Sequence, residues 1–135
     1  MEYISAEEFL KQPKKVQEVF LDWWKPSKGD LFTNDITGGF GVIAQDKLFN
    51  NGLIPLLTEG QLRKFIEDKK SGIIDIGYYG VSEGGYEIKI YKLDYKKDFV
   101  LDDETGRFEN YTFEELGTDL LQAYWKVACE IAKEE

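Results

Sequence analysis

The 135-residue sequence has no histidine, one cysteine, two arginines and three prolines. Without imidazole, general-base chemistry near neutral pH loses its usual side chain, and thiol chemistry would rest on Cys129 alone. A reactive thiol needs a nearby cation or a helix N-terminus. Cys129 instead falls near the end of an amphipathic helical pattern and precedes Glu130, so it reads as core filling. A lone cysteine also excludes an internal disulfide. No apolar run approaches the roughly 20 residues of a membrane span, and the acidic N-terminus lacks the basic-then-apolar order of a signal peptide. The expectation is a soluble cytoplasmic protein that makes no use of a membrane.

Positive charge is also scarce. Seventeen basic against 26 acidic residues leave a net charge of −9, which should repel nucleic acid, whose binding depends on neutralising phosphates. Direct contact with DNA or RNA is therefore not expected. An acidic surface suits a basic protein groove instead, although excess acid also simply keeps a small protein soluble.

What is present is core material: hydrophobic residues make up 42% of the chain and aromatics 15%. A chain of this length buries about two thirds of its unfolded surface, and one domain over residues 1–135 is expected to fold alone. Ser5 and Glu8 form a capping box ahead of Phe9 and Leu10, predicting a short first helix. From Lys14 to Trp24, apolar residues fall at helical spacing behind Pro13, and Pro26 and Gly29 end that second helix. Short apolar runs follow at Leu31-Phe32, Phe40 to Ala44 and Leu48-Phe49. They are separated by Gly38-Gly39 and Asn50-Asn51-Gly52, which supply the positive φ of tight turns.

Thr58 and Gln61 make a second capping box, placing a third helix near 59–70, closed by Gly72. Ile73 to Val81 and Tyr86 to Ile90 read as a hairpin joined through Ser82-Glu83-Gly84-Gly85. Phe99 to Leu101 and Phe108 to Tyr111 flank the acidic turn Asp102 to Gly106 as another strand pair. A broad apolar face on Leu120, Leu121, Tyr124, Trp125, Val127, Ala128 and Ile131 predicts a final helix over about 118–133. The fold class expected is α+β: a mainly antiparallel sheet of about four to six strands packed against the C-terminal helix, with N-terminal and central helices.

Catalytic motifs do not emerge. Gly38-Gly39-Phe40-Gly41 lacks the lysine and serine of a phosphate loop, and the acidic run Asp102-Asp103-Glu104 does not fit a calcium-loop register aligned on Gly106. Paired carboxylates are too numerous to select one pair. No cofactor, metal or catalytic residue is expected. The binding candidates are Trp24 and Tyr79 as stacking rings, Lys25, Arg63 and Arg107 as cations, and Asp102, Asp103 and Glu104 as an acidic contact. Trp23 and Trp24 have a plainer alternative role, closing the core at the end of the second helix. Tyr78 and Tyr79, adjacent on a strand, should point to opposite faces, exposing one ring.

Trp23-Trp24-Lys25-Pro26, the segment from Ile54 to Glu67 (IPLLTEGQLRKFIE) and the C-terminal stretch LLQAYWKVACEIAKE resemble small proteins carried by phages and prophages of Gram-positive bacteria. The resemblance touches both ends and the centre, about half the chain, while 34–53 and 72–112 look individual. It implies a shared scaffold and brings no catalytic residues. It also implies a non-catalytic accessory protein acting against host defence. One such mechanism is an anti-CRISPR-like inhibitor filling a basic nucleic-acid groove of a host defence protein. Another is a sponge for a nucleotide immune signal, with Trp24 or Tyr79 stacking and Arg63 or Arg107 on phosphate. A phage housekeeping adaptor is a third reading, and homo-oligomerisation is left open.

Overall fold

A computed structural model describes residues 2–34, 39–50 and 52–135. The chain forms two compact units, residues 1–58 with 132–135 and residues 59–131. Its class is α+β, with four α-helices and six strands, in two antiparallel three-stranded sheets, among the described residues.

In the first unit, helix α1 (Ala6–Leu10) starts where the capping box predicts: Ser5 Oγ accepts the Glu8 N–H at 3.1 Å. Helix α2 (Lys14–Trp23) follows Pro13, whose fixed φ and missing N–H suit a helix start. Gln17 ties the two helices by donating to the carbonyls of Gln12 at 2.8 Å and Leu10 at 3.2 Å. Phe9 and Phe20, both fully buried, meet with ring centroids 6.2 Å apart. Strands β1 (Leu31–Asn34), β2 (Phe40–Val42) and β3 (Leu53–Pro55) form a sheet in the order β2-β1-β3, with Phe32 opposite both Gly41 and Pro55. Pro55 sits on an edge strand, where a missing N–H breaks no ladder.

Leu48 and Phe49, a short apolar run between turn signals in the sequence, form no strand; they are 84% and 73% exposed in an irregular segment. That segment is held by its polar neighbours, with the Lys47 N–H on the Pro26 carbonyl and Asn50 Nδ2 on the Leu21 carbonyl. Gly52 has the positive φ expected of its turn, at 78°, whereas Gly38 and Asn51 lie outside the described residues.

In the second unit, helix α3 (Glu59–Lys70) occupies the predicted span and buries Leu62, Phe65 and Ile66. It lies against β4 (Gly72–Tyr78) and β5 (Tyr86–Lys92), which pair from Gly72 opposite Lys92 to Tyr78 opposite Tyr86. Gly72 opens β4; the positive φ after α3 belongs to Ser71, at 50°. Strand β6 (Asn110–Phe113) completes the order β4-β5-β6. The last strand pair of the sequence reading is shorter than expected. Phe99 and Leu101 make single bridges, to Leu93 and Phe108, and regular pairing begins only at Asn110. One sheet face carries the buried Ile74, Ile88 and Ile90; the other presents Ile73, Asp75, Lys89 and Tyr91.

Helix α4 (Leu120–Glu134) starts two residues later than predicted because Asp119 Oδ1 accepts the Gln122 N–H at 3.0 Å, an N-cap arrangement. Its buried face is broad, from Leu121 through Tyr124, Val127 and Ala128 to Ile131, and Cys129 is buried on it at 6% exposure. Arg63 on α3 and the Tyr124 phenol on α4 are close enough to influence each other electrostatically. Among the described residues, no helix is long and apolar enough to cross a membrane.

Candidate functional site

Two neighbourhoods of the second unit gather chemistry, one at each end of the β4-β5-β6 sheet. The first is built by the turn between β4 and β5. Gly84 and Gly85 have φ of 89° and 82°, a region closed to most side chains. They let the turn close on the segment before α4: the Gly117 N–H donates to Gly84 O at 2.9 Å, and the Tyr86 N–H to Gly117 O at 2.8 Å. Any Cβ at Gly84 would come within 2.7 Å of Glu115 Cγ, so glycine there brings Glu115 up to the turn.

A shallow depression results, lined by Glu83, Glu87, Glu114, Glu115, Tyr79 and Tyr86. Glu87 reaches Lys89 Nζ at 3.6 Å, whereas Glu83, Glu114 and Glu115 have no ion-pair partner among the described residues. Tyr78 and Tyr79 are both exposed, at 52% and 55%, which corrects the expectation of one exposed ring. Tyr78 rests on its cross-strand partner Tyr86, centroids 4.8 Å apart, and Tyr79 follows the strand's last residue, its ring folding back over Gly77. The absence of a side chain at Gly77 makes that position available.

The second neighbourhood surrounds the turn from Asp102 to Gly106. Asp102 shapes it: its Oδ1 accepts the Glu104 N–H at 2.8 Å, its carbonyl accepts the Gly106 N–H at 2.8 Å, and Gly106 has a φ of 68°. Asp103 and Glu104 are exposed on the turn. Among the described residues, no group of three or more carboxylate or thiol side chains could hold a metal. Arg107 projects between two shallow grooves, one with Lys92, Asp102 and Glu109, the other with Lys89, Tyr91 and Phe108.

The predicted site residues therefore do not form one site. Trp24 is 4% exposed, and its indole N–H donates to Asp30 Oδ2 at 2.9 Å, so it is core and cannot serve as a free stacking ring. Lys25 beside it is exposed. Arg63 is engaged by Glu67, at 2.9 Å, and by Tyr124; these partners, Glu67 first, hold its guanidinium above its ordinary pKa. Tyr79 and Arg107 lie at opposite ends of β5, a strand of seven residues that spans roughly 20 Å. Arg107 and Asp102 share a groove.

Glu83, Glu87, Glu114 and Glu115 escaped the sequence reading because up to 32 positions separate them. Lys89 and Tyr91 did leave a trace: they alternate with buried Ile88 and Ile90 along one strand, which places them together on the outer face. Comparison with protein-family models, with curated proteins and with solved structures finds no match to this chain.

Proposed function

We propose that this chain is a non-catalytic accessory binding protein of the phage and prophage kind. It lays its acidic surface into a basic groove of a host defence protein and displaces the nucleic acid that groove would hold. The observation that carries this reading is the concave set Glu83, Glu114 and Glu115, unpaired among the described residues and standing beside exposed Tyr79. Unpaired carboxylates on a net charge of −9 attract a basic surface from a distance and gain charge-assisted hydrogen bonds on contact. A half-exposed tyrosine supplies the amphipathic anchor common at the centre of such interfaces. The lack of histidine and the burial of Cys129 support a role by binding rather than by reaction.

The test is displacement of a fluorescent duplex from basic nucleases of a Gram-positive host, followed by anisotropy. The protein should release the duplex at low salt and lose at least about tenfold in potency as NaCl rises from about 50 to about 300 mM. A triple Glu83→Gln, Glu114→Gln, Glu115→Gln variant should be weaker at low salt and flatter in its salt dependence. Release that ignores both salt and the triple substitution would remove the basis of the proposal.

A further inference from the structure

The groove on the Lys89 side of Arg107 differs in chemistry from the carboxylate depression and from the groove on the other side of Arg107. It is lined by Lys89, Tyr91, Arg107, Phe108 and Asn110, with Leu101 and Gly106 completing the wall and no carboxylate in the lining. Register explains the assembly: Tyr91 lies opposite Asn110 in the β5–β6 ladder, Lys89 is two residues along on the same face, and the Leu101–Phe108 bridge brings the turn alongside. Arg107 has no side-chain ion pair or hydrogen bond among the described residues. Lys89 shares Glu87 at 3.6 Å and has Asp75 opposite it on β4, so Arg107 is the freer cation. The rings are fixed: Phe108 stands 4.9 Å from Phe99, and Phe99 meets Tyr91 edge-on at 6.0 Å. Phe108 keeps 46% of its surface exposed.

We infer that this groove binds a nucleoside phosphate, its base stacked on Phe108 and Tyr91 and its phosphate on Arg107 with Lys89 in support. Aromatic faces accept any base, and a guanidinium fork matches phosphate geometry. Asn110 is already held by the chain, its Nδ2 donating to the Phe108 carbonyl at 3.1 Å and its Oδ1 accepting from Thr112 Oγ1 at 2.6 Å, which leaves it one N–H and one lone pair, a weak basis for selecting a base. The groove thus reads ring and charge, not base edges. A distant excess of carboxylates does not forbid this, since screening acts within about 10 Å at ordinary salt. The groove adjoins the carboxylate depression at the Glu87–Lys89 ion pair, but Arg107 and Phe108 line no part of that depression, so either site can fail without the other.

The experiment is calorimetric titration of the full chain with AMP, CMP, adenosine and inorganic phosphate, repeated on Arg107→Gln and Phe108→Ala with their thermal midpoints. AMP and CMP should bind comparably, and adenosine and phosphate at least about tenfold more weakly than either. Arg107→Gln should bring AMP down to the level of adenosine while unfolding at the parent temperature. Its guanidinium is exposed and makes no internal bond among the described residues, so the fold does not depend on it. Phe108→Ala should weaken AMP and adenosine alike. No heat with AMP or CMP, or AMP affinity unchanged in Arg107→Gln, overturns the assignment.

Discussion

The indole nitrogen of Trp24 donates to Asp30 Oδ2 at 2.9 Å, across the bend that leads from α2 to β1. The same carboxylate oxygen accepts the Ser27 N–H at 2.9 Å, so one acceptor serves both a buried ring and the turn beneath it. Pairing the polar end of the ring is what allows the rest of Trp24 to be buried. Asp30→Ala leaves a buried donor without a partner and should destabilise the protein by about 1–3 kcal/mol in urea unfolding. Asp30→Asn retains an acceptor and should lose less; equal losses would show that the charge, not the acceptor, matters.

Tyr124 makes stability fall at alkaline pH. Burial holds its phenol above the usual tyrosine range, Glu59 and Glu67 push the same way, and Arg63 opposes them. The unfolded chain releases this proton near pH 10, whereas the folded chain keeps it. Folding therefore binds the proton more tightly. The contribution is complete below about pH 10 and is lost as pH rises through the higher folded value. Tyr124→Phe removes the group, so its urea midpoint should decline less steeply than the parent's between about pH 9 and about pH 11. Parallel declines would assign the alkaline loss to other groups.

Two glycines should respond in opposite directions. A Cβ at Gly85 would overlap the Gly117 carbonyl, and the residue has a φ of 82°, so Gly85→Ala combines a clash with backbone strain. A loss of about 2–5 kcal/mol is expected. Gly60, within α3, has nothing within 4 Å of an added Cβ, and Gly60→Ala should gain about 0.5–1 kcal/mol from helix propensity. Denaturant unfolding of the pair checks both signs.

Cys129, 6% exposed on the inner face of α4, should resist a thiol-directed reagent in native buffer. Labelling is expected to follow the unfolding transition as denaturant is raised, since the thiol is reached only when the helix leaves its packing. Full reaction in native buffer within the mixing time would contradict the burial of this face.

How much was legible follows from how local each signal is. The Ser5–Glu8 cap, the Pro13 start of α2 and the span of α3 rest on contacts three or four residues apart, and the structure has them where the sequence places them. The irregular course of Leu48 and Phe49 was not legible: two adjacent apolar residues resemble a strand, and only the anchors at Pro26 and Leu21 hold that segment elsewhere. Trp24 could be read as an anchor or as core until its partner Asp30 was located.

The functional neighbourhoods divide in the same way. Composition alone determined the net charge of −9, the absence of imidazole and the single thiol. Capping and periodicity determined the helices, because their hydrogen bonds close within a few residues. Tertiary structure alone decided that Glu83 and Glu87 meet Glu114 and Glu115, and that Lys89 and Tyr91 meet Arg107 and Phe108. Those groupings depend on strand register and on glycine turns that bring distant segments into contact, and period-two alternation specifies the face of a residue but not its neighbour.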